Sequence, residues 1–246
     1  PVLKAAQTLQ TRRTPSLLRR ISRHWKHVAA AAVLVLTVGS YSNVPLRLQA
    51  DHLTVVGERQ RLQLEDGSKV LLNTNSAFSS KVVNAHSSAR LLKGEAYFEI
   101  PANLEFPMTV DAGPVRVSVR DTAFAVSYLN GEAQVRVQRG DVDLRVNTIG
   151  TQMRLSAGNS VSIGPNGFSR TVPLNPQIDL AWVEGRLVFE NCPMSKVLDE
   201  VRRYYPGWIV NNNEKLANVA VTGNYRLDQP LDIVRSLAHI TSSRLS

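Results

Sequence analysis

Apolar and polar residues alternate along most of the chain between residues 52 and 171. The segments "RLQLEDGSKVLLN" (61–73) and "FAVSYLNGEAQVRVQRGDVDLRV" (124–146) show the pattern most clearly. Alternation of this kind is typical of strands with one buried and one solvated face. We therefore predict an all-β domain over residues 50–172, built as a sandwich, a barrel or a solenoid-like stack of antiparallel strands.

Glycine-containing turns punctuate this alternation. Asp66-Gly67 and Asn130-Gly131 each separate two alternating runs, which predicts hairpins with primed turns. Arg139-Gly140-Asp141 is expected to join the next pair of strands in the same way. No stretch of this region favours a helix of about ten residues, the length that a helix pattern needs to be recognised.

The pattern changes after residue 172. Two prolines make residues 173–181 a predicted linker, and "LVFENCPMSKVLDEVRRYY" (187–205) passes from a strand-like run into an amphipathic helix. Proline is best tolerated at the first helical position, so we expect the helix to begin at Pro193 and to end before Pro206-Gly207. Its expected apolar stripe consists of Met194, Val197, Leu198, Val201 and Tyr205.

A second strand and helix follow with the same opening. Residues 208–210 and 219–225 read as strands, and "QPLDIVRSLAHI" (229–240) reads as a helix that begins near Pro230. Its expected apolar face consists of Leu231, Val234, Leu237 and Ala238. We predict a small α/β subdomain of βαβ-repeat type over residues 182–246, with "RLS" beginning a truncated final strand.

The positive charge of the chain is concentrated at its N-terminus. The formal net charge is +9, but residues 1–27 carry basic side chains and no acidic one, and the rest of the chain is nearly neutral. A nucleic-acid partner is therefore not expected. We predict that 1–27 is a basic cytoplasmic segment in front of a single membrane span, with the chain after that span outside the cytoplasm.

The membrane prediction rests on an uncharged segment. Residues 28–46 carry no charged side chain, and about 20 apolar residues are needed to cross a bilayer as a helix. We predict a single transmembrane helix there, with the membrane as a partner. A cleaved export signal is one alternative, and the arginines of "LRRISR" (18–23) make a twin-arginine export signal another.

No pattern typical of catalysis or metal binding is present in the sequence. The five histidines show no H-x-x-x-H spacing, and the single Cys192 excludes a C-x-x-C pair. A G-x-S-x-G elbow and a glycine-rich phosphate loop with a lysine are also missing. We predict no catalytic residue, no metal and no cofactor, and hence no enzyme, with a periplasmic hydrolase of unrecognised site as the alternative.

Several motifs in a fixed order carry a resemblance to a known family. "LEDGSKVLLNTNSAF", "RLLKGEAYFEI", "FPMTVDAG", "VRDTAFAVSY" and "VQRGDVDLRV" are followed by "LAWVEGRLVFENCPMSKVLDEVRRYY". This order, over roughly residues 50–240, resembles the FecR family of bacterial transmembrane anti-sigma regulators. The resemblance implies a single-pass protein of the bacterial inner membrane, with its N-terminus cytoplasmic and its C-terminal region periplasmic. It also implies that the protein senses a TonB-dependent outer-membrane siderophore or iron receptor and regulates a cytoplasmic ECF sigma factor, with periplasmic and intramembrane proteases as further partners.

The resemblance also implies a secretin/TonB N-terminal short (STN)-like C-terminal subdomain that docks on the N-terminal signalling domain of the receptor. A small sheet can accept a strand from a partner at its unpaired edge, and large aromatic side chains often anchor interfaces. The candidate partner-binding residues are Leu187, Val188, Phe189, Tyr204, Trp208, Ile209 and Val210. The alternative is that the apolar ones are core residues under the helices, and an envelope-assembly module is the alternative function.

Two departures from the family pattern are visible. The family carries an N-terminal cytoplasmic domain that binds the sigma factor, and residues 1–27 do not supply it. Some members self-cleave at a Gly-Thr bond, where this chain has Asp121-Thr122. Because aspartate adopts a positive φ less readily than glycine, we predict a vestigial site at which self-cleavage is absent or slow.

Overall fold

The computed structural model describes residues 46, 48–209 and 214–240. The predicted cytoplasmic segment 1–27 lies outside these residues, as does the predicted span 28–46 apart from Leu46. Within the described residues, no helix combines the length and the apolar character needed to cross a membrane.

Strands dominate the described chain. In order they are β1 His52–Leu53, β2 Gln60–Gln63, β3 Lys69–Leu72, β4 Ala77–Val83, β5 His86–Ile100, β6 Met108–Ala112, β7 Val115–Val119, β8 Thr122–Leu129, β9 Glu132–Arg139, β10 Asp141–Val146, β11 Gln152–Ser156, β12 Asn159–Gly164, β13 Gly167–Phe168, β14 Val172–Pro173, β15 Arg186–Pro193 and β16 Ala220–Arg226. The helices are α1 Pro176–Asp179, a 3-10 helix Ala181–Glu184, α2 Met194–Arg202, α3 Glu214–Ala217 and α4 Pro230–Ile240.

The first 14 strands form one curled sheet whose two layers enclose a common core, which agrees with the predicted all-β domain and is closest to the sandwich. The prediction of antiparallel strands throughout is wrong at one place, because β5 and β6 pair in parallel. The first layer has the order β11-β10-β7-β6-β5-β4-β1, and the second has β2-β3-β5-β8-β9-β12 with β13 and β14 at its edge. Strand β5 belongs to both layers, since its first half pairs with β4 and its second half with β8. We call residues 48–173 the sandwich.

Gly94 marks the point at which β5 passes from one layer to the other. Its φ is +95°, and a Cβ atom there would lie 2.5 Å from the Cα of Ser76. A side chain does not fit in this space, so only glycine allows the strand to bend at this position.

The alternating apolar residues meet between the two layers. Phe98 and Phe124, from neighbouring strands of the second layer, stack with ring centroids 5.1 Å apart, and Phe78 contacts Phe98 at 6.1 Å. Valines of β7, β9 and β10 fill the rest of this core and are almost entirely buried. The inward half of the alternation therefore packs as the sequence predicts.

The predicted turns have different outcomes. Asn130 and Gly131 both have positive φ and join the paired strands β8 and β9, so this primed hairpin is confirmed. Asp66-Gly67 does connect β2 to β3, but of the two residues only Gly67 has positive φ, so this turn is not primed. Arg139-Gly140-Asp141 does not join a strand pair, because β9 pairs with β8 and β12 whereas β10 pairs with β7 and β11. The chain crosses between layers at Gly140.

We call residues 174–209 and 214–240 the C-terminal module. Strands β15 and β16 pair antiparallel, and buried residues of α2 and α4 pack in one apolar cluster with Leu187 and Phe189. The order strand, helix, strand, helix agrees with the predicted α/β composition, but the predicted βαβ repeat is wrong, because a βαβ unit joins parallel strands and β15 and β16 are antiparallel. The predicted strand 208–210 is wrong at residues 208 and 209, which are irregular, and Val210 lies outside the described residues.

Three details of the predicted helices differ. Pro193 is the last residue of β15, paired with Ala220, so α2 begins one residue later than expected. Tyr204 is buried in place of Tyr205, because Asn73 of the sandwich donates a hydrogen bond to its hydroxyl. In α4, Ile233 and Leu237 face the core, and Leu231 is 41% exposed.

The predicted linker 173–181 is not an extended connection. It contains α1, whose N-terminal amide at Gln177 donates to the side chain of Asn175, and the start of the 3-10 helix. Leu174, Leu180 and Ala181 are buried. Apolar side chains within the segment thus fold it back as part of the C-terminal module.

Candidate functional site: the contact between the sandwich and the C-terminal module

The C-terminal module covers the outer face of the second layer of the sandwich. On β8, Phe124 and Val126 point into the sandwich core, while Ala123 and Ala125 point outward and pack in the same cluster as the module. Tyr97 of β5 and Leu71 of β3 join them from the sandwich side. The expectation of one buried and one solvated face is therefore wrong for this layer, since both faces of β8 are buried.

A buried carboxylate lies within this contact. Glu95, on the outward face of β5, has a side chain only 2% exposed and forms ion pairs with Arg136 of β9 at 2.8 Å and with Arg203 of the module at 2.7 Å. The Nδ2 of Asn73 donates to Glu95 at 2.8 Å and to the hydroxyl of Tyr204 at 2.7 Å. We call these five residues the Glu95 cluster.

The end of α2 brings two members of the cluster to the sandwich. The carbonyl of Arg203 accepts a hydrogen bond from the hydroxyl of Thr74 at 2.8 Å, and that hydroxyl accepts one from the amide of Gly57 at 2.8 Å. At Gly57 a Cβ atom would lie 3.1 Å from the carbonyl oxygen of Tyr204. Backbone as well as side-chain groups therefore fix Arg203 and Tyr204 against the sandwich.

The electrostatics of the cluster favour its charged form. Burial alone raises the pKa of Glu95, but the charges of Arg203 and Arg136 outweigh it and hold the pKa of this carboxylate below its ordinary value. Burial would lower the pKa of Arg203, and the two nearby carboxylates raise it above the ordinary value. Burial raises the pKa of Tyr204 strongly, so its phenol stays neutral and donates or accepts hydrogen bonds as a hydroxyl.

Glu200 lies at the margin of the cluster. It pairs with Arg203 at 2.7 Å, and its side chain remains 32% exposed. Burial raises the pKa of Glu200, the charge of Arg203 opposes this, and the charge of Glu95 adds to it. Its ionisation is therefore less favourable in the folded chain, opposite to that of Glu95.

A second polar contact joins the two parts near Gly185. Arg59 of the sandwich donates to the carbonyl of Trp182 at 2.7 Å. Gly185 has a φ of +83°, and a Cβ atom there would lie 2.8 Å from a guanidinium nitrogen of Arg59. Arginines thus reach across the contact in both directions, Arg203 from the module and Arg59 from the sandwich.

The predicted partner-binding residues occupy different places. Leu187 and Phe189 are 5% and 8% exposed, within the core of the module. Val188 points the other way and lines a cleft of about 520 Å³ between the module and the sandwich, together with Tyr97. Tyr204 is buried in the Glu95 cluster.

The turn after Tyr204 carries the exposed aromatic residue. Trp208 is 96% exposed, the largest exposure of any large apolar side chain that the structure describes. The next residue, Ile209, is half-buried, and its carbonyl accepts two hydrogen bonds from Arg202 at 3.1 and 2.9 Å. The backbone beside Trp208 is therefore held while its side chain extends into solvent.

The Asp121-Thr122 bond lies at the corner where β8 begins. Asp121 has a φ of +49°, so aspartate occupies the left-handed conformation here. The buried Thr122 hydroxyl donates to the carbonyl of Arg120 at 2.8 Å and lies 3.3 Å from that of Asp141. Gly140 packs against this corner, because a Cβ atom there would lie 2.6 Å from the carbonyl oxygen of Asp121.

Among the described residues, no group of three or more His, Cys, Asp and Glu side chains is arranged to hold a metal ion. Cys192 is half-buried with a free thiol at the end of β15.

Sequence reasoning did not find the Glu95 cluster, although its signals were present. Glu95 is a charged residue at the start of the apolar run "EAYFEI", and Ala123 and Ala125 occupy the alternate positions at which a solvated strand carries polar side chains. A continuous apolar strand indicates burial on both faces. These two signals together point to a covered, partly charged outer face.

Comparisons with known proteins match both parts of the chain. The family model described as FecR protein matches residues 50–143, and the model described as FecR, C-terminal matches residues 186–243. Two crystal structures from Parabacteroides distasonis ATCC 8503, at 1.65 and 2.50 Å resolution and provisionally assigned as an anti-sigma factor, are 22% identical to the chain, with TM-scores of 0.65 and 0.64. Each match covers 78% of this chain and 92% of the other.

No curated protein matches the chain. The structural matches extend over both the sandwich and the C-terminal module, and at this level of identity they show a shared fold. The family models fall within the same two parts, with the first inside the sandwich and the second running from β15 beyond the start of α4. The chain belongs to the FecR family.

Proposed function

We propose that this protein is a signal transducer that regulates a sigma factor through its extracytoplasmic region. Membership of the FecR family and a fold shared with a protein assigned as an anti-sigma factor support this function. The observation that carries it is the C-terminal module, which is fixed to the sandwich on one side and presents Trp208 on its free surface. Such an arrangement suits a receiver of protein signals.

Trp208 is the anchor that we propose for the partner. Tryptophan is highly buried on average in folded proteins, and it is enriched among the residues that dominate binding energies. Its backbone is held through the hydrogen bonds of Arg202 to Ile209, so binding does not require ordering the loop first.

The edge of β16 is the second element of the proposed docking surface. In the described chain β16 pairs with β15 alone, and α1 and the 3-10 helix lie beside β15. The outer edge of β16 therefore carries backbone groups that a partner strand can pair with. Thr222, Asn224 and Arg226 are exposed along this strand and could provide specificity.

The partner that we propose is the N-terminal signalling domain of a TonB-dependent siderophore or iron receptor. The sigma factor is of the ECF class, residues 28–46 anchor the protein in the inner membrane, and periplasmic and intramembrane proteases complete the signal. The module is STN-like in this proposal, and the protein is not an enzyme. An envelope-assembly module remains the competing function.

Calorimetric titration tests the proposed partner. The purified protein is titrated with the signalling domain of a TonB-dependent receptor from the same organism. We expect saturable one-to-one binding that weakens at least about 30-fold in Trp208→Ala, because truncation of a hot-spot residue costs roughly 2 kcal/mol or more. Ile149→Ala is the matched control, since Ile149 is an apolar side chain of the sandwich that is 56% exposed.

The outcomes separate the competing functions. Equal weakening by Trp208→Ala and Ile149→Ala would remove Trp208 as the anchor. No binding to any signalling domain of the organism, by protein with native circular dichroism, would favour the envelope-assembly function.

A further inference from the structure

The contact between the sandwich and the C-terminal module shares a turn with the exposed surface of the module. Arg203 and Tyr204 contact Glu95 and Asn73 of the sandwich, and Trp208 extends into solvent four residues after Tyr204. We infer that the module is a releasable cover of the sandwich, and that a partner protein seated on Trp208 opens the Glu95 cluster. This inference rests on the proposed function for the identity of the partner.

The composition of the contact makes release possible. Ion pairs within a protein interior gain little net stability, because removing the charges from water offsets their attraction. When the contact opens, water can solvate Glu95, Arg136 and Arg203 again. The arginine side chains already keep 18% and 22% of their exposure, so solvent reaches the edge of the cluster in the closed state.

The apolar part of the contact is small on the sandwich side. Strand β8 contributes Ala123 and Ala125, each of which buries little area. The larger side chains on the sandwich side of the contact are Leu71 of β3 and Tyr97 of β5. Apolar burial contributes roughly 25 cal/mol per Å², so alanines add little to the cost of opening. Helix α2 also contacts β15 and α4, so these contacts within the module remain when it leaves the sandwich.

The link to the partner runs through the turn 203–209. At its start, the carbonyl of Arg203 is bonded to Thr74 and the hydroxyl of Tyr204 to Asn73. At its end, Ile209 is bonded back to Arg202 within α2. A partner that repositions Trp208 therefore acts on a short segment whose other end holds the cover closed.

Coupling of this kind is reciprocal. If occupation of Trp208 favours the open state, then a variant that is already open must bind the partner more tightly by the same factor. Couplings between sites typically correspond to roughly 5–150-fold changes in affinity.

Electron–electron distance measurements test the release. Spin labels are placed at Glu132→Cys on the sandwich and Asn218→Cys on the module, both exposed positions, in a Cys192→Ser background of the full chain in detergent. We expect one narrow distance distribution for the parent and an additional, longer and broader population in Arg203→Met. Arg154→Met is the matched control, since Arg154 pairs with Asp141 within the sandwich at 3.0 Å, and it should leave the distribution unchanged.

Folding of the variants is checked by hydrogen exchange of the core amides in β6 and β7. If Arg203→Met loses this protection, Tyr204→Phe replaces it, because it removes only the hydroxyl that Asn73 contacts. A single unchanged distance in a folded Arg203→Met or Tyr204→Phe variant would overturn the release.

The same variants test the coupling by titration with the receptor signalling domain. We expect Arg203→Met to bind about tenfold more tightly than the parent, within the range typical of coupled sites. Open distances with unchanged affinity would overturn the coupling. If neither the parent nor the variant binds the signalling domain, the proposed partner and the coupling that depends on it are overturned. The distances between the two spin labels still decide whether the cover opens.

Discussion

Glu95→Gln tests the energetic role of the buried cluster, because it removes one charge and keeps the shape of the side chain. Glu95 meets guanidinium nitrogens of Arg203 at 2.7 Å and Arg136 at 2.8 Å with its own side chain 2% exposed. Removing one partner of a buried ion pair costs about 3–5 kcal/mol. Water at the partly exposed arginines offsets some of this, so we expect the free energy of unfolding to fall by about 3 kcal/mol.

Equilibrium urea unfolding followed by circular dichroism measures this loss. The control is Asp111→Asn, which breaks the ion pair between Arg116, whose side chain is 54% exposed, and Asp111, whose side chain is 30% exposed. Exposed pairs contribute about 0–1 kcal/mol, so the control should change little. A loss below about 1 kcal/mol for Glu95→Gln, or one equal to the control, would refute the energetic account of the cluster.

Three further predictions concern pH, backbone conformation and covalent integrity. The pKa of Glu95 is lowered on folding, so its contribution to stability is complete above the unfolded pKa of about 4.3 and is lost as the pH falls through the folded pKa. Urea unfolding midpoints measured in acid should therefore fall more for the wild type than for Glu95→Gln. The pKa of Glu200 is raised on folding, so its ionisation changes stability with pH in the opposite direction. Unfolding of Glu200→Gln over the same pH range measures that contribution. Gly140→Ala should lower the free energy of unfolding by about 2–4 kcal/mol, and Gly150→Ala by about 1 kcal/mol, because both have positive φ but only Gly140 is crowded by backbone. Intact mass of the purified protein should show no cleavage between Asp121 and Thr122, and two fragments split at that bond would contradict this.

Features fixed by neighbouring residues were predictable from the sequence. Asn130-Gly131 forms its hairpin because both residues tolerate positive φ, and the flanking strands then pair in register. The stripe of α2 from Met194 to Val201 is buried as the helical spacing predicts. In each case the information lies within a few residues of the chain.

Features fixed by distant contacts were not predictable in this way. Gly140 resembles a hairpin glycine, but its position is decided by the approach of the Asp121 carbonyl from another strand. Tyr204 replaces Tyr205 in the interior because Asn73, far away in the sequence, supplies its hydrogen bond. In the sequence, Glu95 is only a charged residue within a strand. Its partners Arg136 and Arg203 come from β9 and the end of α2, which are distant from it along the chain. The candidate site is therefore formed by contacts between elements that are far apart in the sequence, and these contacts could not be predicted from local patterns.

The central claim is that this protein passes a signal from its C-terminal module to a sigma factor, and a transcription measurement tests it most directly. Transcripts of a strain lacking the protein are compared with those of strains complemented with wild type, Trp208→Ala or Ile149→Ala at equal protein levels. We predict that one sigma-dependent set of genes responds to the receptor's ligand with wild type and Ile149→Ala but not with Trp208→Ala. Transcripts that are the same with and without the protein, in the presence and absence of that ligand, would contradict the account.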